Sequence, residues 1–165
     1  MADLLTHVLT AYVLAALIAL RDDRVTPAMT TAAMVGGLVP DLNRIGLVLP
    51  APTVESALGV PLGWDAFSTV GGVAVVLGLG TLAVPPRLRR RTAAMLALGA
   101  SSHFLLDYLL LFPSGYGHPY LWPVTAAGLP GPGLYLSSAR WPAVVALALA
   151  TVAWIAARRQ RDDSR

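Results

Sequence analysis

A histidine and an aspartate four residues apart, His103 and Asp107, stand in an otherwise apolar stretch of the chain. On a helix, an i, i+4 pair shares one face, so the two side chains can hold one ion between them or bond to each other. Imidazole and carboxylate together suit Zn²⁺, Mn²⁺ or Fe²⁺, and His7 and Asp41 would complete three or four ligand positions. A divalent ion bound there lowers the pKa of water toward neutrality and polarises a phosphoryl or carbonyl oxygen, which is hydrolytic chemistry. One carboxylate, Asp41 or Asp65, could act as general base instead of ligand. Arg44, three residues beyond Asp41, either pairs with that carboxylate or meets an anionic substrate.

Each of these residues also has a purely structural reading. His103 and Asp107 could be a hydrogen-bonded pair that locks one helix to a neighbour. His7 could snorkel to an interface, Asp41 after Pro40 could cap a broken helix, and Asp65 could be an N-cap ahead of the following apolar stretch. His118, between Gly117 and Pro119, fits an exposed loop. Ser68 and Thr69 could be helix-packing hydroxyls. Trp122, Trp141, Tyr116 and Tyr120 suit an interfacial aromatic belt, or the entrance for a lipid headgroup. Joint occurrence favours function, because a carboxylate at the centre of a bilayer costs about 2.5 to 3.5 kcal/mol on the insertion scale, and this chain carries two within apolar segments.

The segments that must position these groups are read from hydropathy. Of 165 residues, 56% are hydrophobic and 13% charged, about half the charged fraction of an ordinary soluble domain. Stretches long enough to cross a hydrocarbon core of about 30 Å fall at residues 4–20, 28–49, 66–84, 92–112 and 141–157. The expected fold is all-α: a single transmembrane domain of about five helices over residues 1–165, ending in a charged cytoplasmic tail at 158–165. The second span is interrupted by Gly36-Gly37 and Pro40-Asp41, so its backbone should break near Pro40, where protein or a hydrated cavity must satisfy the freed groups. Residues 113–140, rich in Gly, Pro and aromatics, read as a long loop folded over helix ends. Residues 4–20 lack the basic start and small-residue cleavage site of a signal peptide and read as a retained helix.

Arginine placement orients this bundle. Arg21 and Arg24 follow the first span, Arg87, Arg89, Arg90 and Arg91 follow the third, and Arg158, Arg159, Arg161 and Arg165 follow the fifth, whereas the opposite side carries Arg140 alone. The positive-inside rule then puts the C-terminus in the cytoplasm and the N-terminus outside, in a cell membrane. Arginines beside apolar segments are membrane-flanking charge, so the net charge of +3 does not imply a nucleic-acid partner. With no cysteine in the chain, disulfides, thiolate ligands and cysteine nucleophiles are excluded. At about 1.5 Å of rise per residue, Asp107 and His103 lie roughly 8 and 14 Å below the outer end of their helix. His7, Asp41, Asp65 and His118 approach the same side.

The order Thr6-His7, Gly37-x-x-Pro40-Asp41, His103-x-x-x-Asp107 and Trp122-Pro123 resembles the LexA-regulated, inner-membrane metal-dependent hydrolases of the YdjM type over about residues 1–125. The H-x-x-x-D pair with an upstream His and Asp is also similar to the ligand pattern of zinc-dependent phospholipase C and nucleases. The resemblance implies that His7, Asp41, His103 and Asp107 bind metal, Zn above all, and that a phosphoester is the substrate. Where family members carry H-R-G-x-T-H-S, residues 61–69 of this chain have neither histidine. Asp65 or His118 would then supply the missing ligand, or one metal position is lost.

The expected function is a membrane-embedded metal-dependent hydrolase acting on a phospholipid or another phosphoester in the outer half of the membrane, with Arg44 and Trp122 against the substrate. The alternative is a non-enzymatic membrane protein, either a proton or ion conduit or an inactive structural homologue. A conduit needs polar groups through the inner half as well, and apart from hydroxyls the first, third, fourth and fifth spans offer few there.

Overall fold

The structure is a computed structural model that describes residues 3–61 and 63–163. Among the described residues it is all-helical, with six α-helices and no strand: α1 (Leu4–Ala19), α2 (Pro27–Leu38), α3 (Ala51–Leu58), α4 (Val70–Leu82), α5 (Pro86–Tyr108) and α6 (Trp141–Asp163). Two 3₁₀ segments, Val39–Leu47 and Trp64–Ser68, link them. Local signals set the boundaries. The Thr26 hydroxyl accepts from the Met29 amide with Pro27 in the first turn, and the Thr69 hydroxyl accepts from the Gly72 amide, both meeting amides that have no partner within the helix.

Several boundaries differ from those expected of the sequence. The second apolar stretch changes from α-helix to 3₁₀ at Val39, the residue before Pro40, so the expected break is a change of helix type. Residues 50–65, expected to be a connection, contain α3; Pro52 lies in its first turn and Gly59, at φ 68°, closes it in the left-handed conformation. The expected fourth span begins earlier, as α5 at Pro86, so Arg87 to Arg91 lie within its first turns. Arg89 reaches back to accept nothing and donate twice, to the Val84 carbonyl at 3.2 Å and the Leu82 carbonyl at 3.3 Å, closing the end of α4.

Packing is tightest where glycines permit it. A Cβ on Gly36 would overlap the Leu96 carbonyl, and one on Gly99 would overlap the Ala33 carbonyl, so α2 and α5 meet backbone to backbone. Gly37 lies 3.2 Å, measured from an added Cβ, from both the Ala11 methyl and the His7 carbonyl, which brings α1 into the same crossing. Small residues of this kind suit helix contact in lipid, where close approach replaces hydrophobic driving force. Ala146, Ala150 and Ala153 bury the face of α6, which packs on α1.

Large apolar side chains face outward while a small ionisable group lies inside an otherwise apolar core. Val75, Leu79, Leu82, Val144 and Val152 are exposed, whereas His7, His103 and Asp107 are 0%, 1% and 1% exposed. Trp141–Gln160 is one helix long and apolar enough to cross a membrane; Pro27–Leu47 with Ala51–Leu58 meets the same test only as a pair bent by 81°. Leu4–Ala19 and Val70–Leu82 are apolar but shorter.

Candidate metal centre

Three elements converge on one end of the bundle: the start of α1, the end of α2 and the end of α5. His7 Nε2 lies 3.5 Å from Asp107 Oδ1, and His103 Nε2 lies 3.4 Å from Asp107 Oδ2. The two imidazole rings stack, with centroids 3.6 Å apart and planes 14° from parallel. One ligand atom from each of His7, His103 and Asp107 fits within a sphere of contact in which all lie within 4.8 Å of one another. Donors on a tetrahedral ion with bonds of about 2.0 to 2.2 Å stand ~3.4 Å apart, close to the length of each His–Asp contact, in which the two histidines meet different oxygens of the carboxylate.

The Gly37 carbonyl fixes the histidine between them. His103 Nδ1 lies 2.8 Å from that oxygen, and a carbonyl only accepts, so Nδ1 carries the hydrogen. The backbone explains why this oxygen is available. In the 3₁₀ pattern that begins at Val39, the Gly37 carbonyl would meet the amide of residue 40, which Pro40 lacks. In a neutral ring, Nε2 then presents a lone pair to the Asp107 carboxylate. Both His7 nitrogens and His103 Nε2 are buried; among the described residues His7 Nδ1 meets no hydrogen-bond partner, and the two Nε2 atoms meet the Asp107 carboxylate at 3.5 and 3.4 Å without well-formed hydrogen bonds. Buried donors and acceptors without partners are uncommon and call for an ion or proton to join them. The residues present therefore fit a divalent metal, with the Gly37 carbonyl as the outer partner that orients a ligating imidazole.

Asp41 sits beside this group but outside it. Its Oδ1 accepts from Arg44 Nε at 2.8 Å, while Oδ2 is buried without a hydrogen bond. Its charge is within electrostatic reach of His7. Arg44, 36% exposed, bridges the buried carboxylate and the outside.

Asp65 and His118 are both exposed and stand apart from the three-residue group. They line a cavity of about 350 Å³ with Ser68, Thr69, Tyr120 and Trp122. The loop reaches this cavity by capping α4: the Val70 amide donates to the Tyr120 carbonyl at 2.7 Å and the Gly71 amide to the Trp122 carbonyl at 2.9 Å. These are helix-start amides with no partner inside the helix. Ser68 donates to the Pro40 carbonyl at 3.3 Å, tying the cavity wall to the residue before Asp41.

Tyr120 joins cavity and metal group. It is 5% exposed, packs edge-on against Phe104, the neighbour of His103, and its hydroxyl has no hydrogen-bond partner. Burial first, and then the charge of Asp107, pushes the phenol pKa upward, so it stays protonated. Sequence reasoning placed Tyr120 in an aromatic belt and did not single out the Gly37 carbonyl. The only signal for the latter was Pro40, three residues downstream and missing an amide.

No curated protein and no solved structure matches the chain. A family profile, that of the YdjM inner membrane protein, matches residues 1–162, and by that match the chain belongs to the YdjM family of inner membrane proteins.

Proposed function

We propose that this YdjM-family protein is a membrane-embedded, metal-dependent hydrolase of phosphoesters, phospholipids among them, with its site in the outer half of the membrane. The observation that carries this reading is the opposition of His103 Nε2 and Asp107 Oδ2 at 3.4 Å. With Nδ1 held by Gly37, these atoms face each other as two acceptors, and a third buried ligand, His7, stands beside them. A charge-assisted hydrogen bond would be nearer 2.7 to 2.9 Å. Two imidazoles and one carboxylate make a three-ligand set of the kind that leaves a position for substrate, suited to Zn²⁺ and also to Mn²⁺ or Fe²⁺.

When bound, such an ion supplies Lewis acidity toward a phosphoryl oxygen and eases loss of a proton from water. The chain's own groups do the rest. Asp41 takes the proton of the attacking water on Oδ2, the oxygen not engaged by Arg44. The Arg44 guanidinium, partly exposed beside it, offers donors to phosphate oxygens. Tyr120, neutral and buried at the inner wall of the cavity, can donate a hydrogen bond without carrying charge into the site.

The membrane arrangement belongs to the same proposal. Five spans, formed by α1, the α2 segment, α4, α5 and α6, would put the N-terminus outside and the C-terminus in the cytoplasm. Arginine placement supports this: Arg21, Arg24, Arg87, Arg89, Arg90, Arg91, Arg158 and Arg159 lie at or just beyond the ends of α1, α5 and α6 remote from His7, Asp41 and Asp107, and the positive-inside rule assigns them to the cytoplasm.

Elemental analysis of the purified protein tests the reading. The native chain should hold metal in stoichiometric amount, and His103→Ala and Asp107→Ala should not. Absence of metal from the native protein would sink the proposal. With metal bound, release of phosphate or headgroup from a lipid panel tests the chemistry, and turnover unchanged in Asp107→Ala would remove that residue from it.

A further inference from the structure

The cavity beside the metal group has a chemistry of its own. Its volume of about 350 Å³ is at the small end of the range for ligand sites. Among the described residues that line it, Asp65 is the one charged group, and no Arg contributes to its wall. Arg44, the nearest cation in sequence, is turned to Asp41 at 2.8 Å. Asp65 makes no ion pair with any described residue.

The other walls carry aromatic faces and side-chain oxygens, together with the Asn43 amide, Ala66 and Pro119. Trp122 and Tyr120 line the cavity with His118, and the His118 ring is held edge-on by Phe112 at 5.7 Å and by Tyr120 at 6.0 Å. Tyr120, whose buried hydroxyl makes no hydrogen bond to a described residue, lines the cavity with Ser68 and Thr69, whose hydroxyls donate to the Pro40 and Ala66 carbonyls and keep acceptor lone pairs. A phosphate would find one carboxylate and no cation there. An ammonium ion would find a counter-charge, oxygen acceptors and aromatic faces, the combination that recognises organic cations.

We infer that this cavity binds the ammonium part of an amine-bearing headgroup, with Asp65 as its counter-ion and Trp122 and Tyr120 as its walls, while the phosphoester extends toward Asp41, Arg44 and the metal group. The inference rests on the hydrolase reading for the phosphoester end only. The amine end stands on the cavity alone and can be measured without metal. Asp65 is thereby a binding residue, neither ligand nor base. The same ammonium could arrive on a membrane lipid or on a soluble phosphoamine.

Binding measured on the full chain in detergent micelles, after metal is stripped with a chelator, tests this. Short-chain phosphatidylethanolamine should bind about fivefold more tightly than short-chain phosphatidylglycerol, the scale of an exposed ion pair with a cation–π contact, and Asp65→Asn should abolish the difference. Asp65 is exposed, so this variant keeps the fold; Asp65→Glu should retain the preference. Free O-phosphoethanolamine competing better than glycerol phosphate would indicate that the soluble amine suffices, and a preference confined to the lipids would indicate a lipid source; either supports the cavity assignment. Equal affinity for the two lipids, or an Asp65→Asn variant that keeps the preference, overturns it. His103→Ala separates the two readings, since it should lose metal and keep the amine preference.

Discussion

The Gly37 carbonyl holds His103 by Nδ1 at 2.8 Å, across the crossing of α2 and α5. That one contact sets the tautomer of a buried histidine and aims its other nitrogen at Asp107. It depends on Pro40, which has no amide for the same oxygen in the 3₁₀ register. Pro40→Ala supplies that amide, and the Gly37 carbonyl then has a competing donor within its own segment. Outer partners of ligating histidines are worth roughly 10- to 100-fold in metal affinity. Pro40→Ala should therefore weaken metal binding by about that factor, measured against a competing chelator. Unchanged affinity would mean that the proline plays no part in orienting the ring.

The crossing itself predicts a contrast between two glycines. A Cβ on Gly99 would overlap the Ala33 carbonyl and crowd the Gly37 amide, both backbone atoms that cannot turn away. Gly99→Ala must push α2 from α5, at a cost of about 1 to 3 kcal/mol, and should loosen the contact between His103 and Gly37. A Cβ on Gly78 meets nothing within 4 Å, so Gly78→Ala should be neutral or slightly stabilising. Thermal unfolding of both variants in one detergent checks the difference. Equal melting temperatures would show that the backbone contact is not limiting.

Much of the site was readable because hydropathy and direction reversal act on the whole chain. Alternating helix directions bring the start of α1, the end of α2 and the end of α5 together, so the approach of His7, His103 and Asp107 follows from spacing. Details that depend on side-chain partners were not readable. Asp41 lies next to the group, yet one of its oxygens belongs to Arg44. His118 and Asp65 reach a neighbouring cavity because the loop carbonyls of Tyr120 and Trp122 cap α4, a contact between segments about fifty residues apart with no sequence signature. The helix α3 was hidden for a different reason. Pro50, Pro52 and Gly59 look like loop punctuation, but a proline in the first turn and a left-handed glycine at the end are also how a short helix starts and stops.

Loop docking offers a prediction with a pH dependence. Tyr135 is buried, and its hydroxyl donates at 2.7 Å to the Leu106 carbonyl in the last turn of α5, which also accepts from the Leu109 amide at 3.2 Å. Tyr135→Phe should destabilise the protein by about 1 kcal/mol. Burial, and then the Asp107 charge, raise the Tyr135 pKa from 10.0 to about 12. A raised pKa favours the neutral phenol in the fold, so its contribution is complete below pH 10.0 and is lost as pH rises through about 12. The native protein should therefore lose stability over that interval more steeply than Tyr135→Phe. Parallel curves would show that the phenol is not coupled to folding.

Asp107 gives the sharpest test of whether the cluster exists to hold metal, because the two explanations predict opposite signs. If its carboxylate serves only to lock helices, replacing it with the isosteric amide removes part of a native interaction, and Asp107→Asn should be less stable under every condition. As a ligand, the carboxylate is a buried charge whose cost of about 2.5 to 3.5 kcal/mol is offset most fully when a cation sits beside it. In chelator, Asp107→Asn should then be as stable as the native chain or more stable, since it removes a buried charge from a site that is 1% exposed. With Zn²⁺ added, the native chain should gain about 2.7 kcal/mol at a hundredfold excess over the dissociation constant, and the variant should gain nothing, so the order reverses. Melting temperatures of both proteins with chelator and with Zn²⁺ decide the matter. A native chain whose stability ignores both additions would exclude a metal role for Asp107.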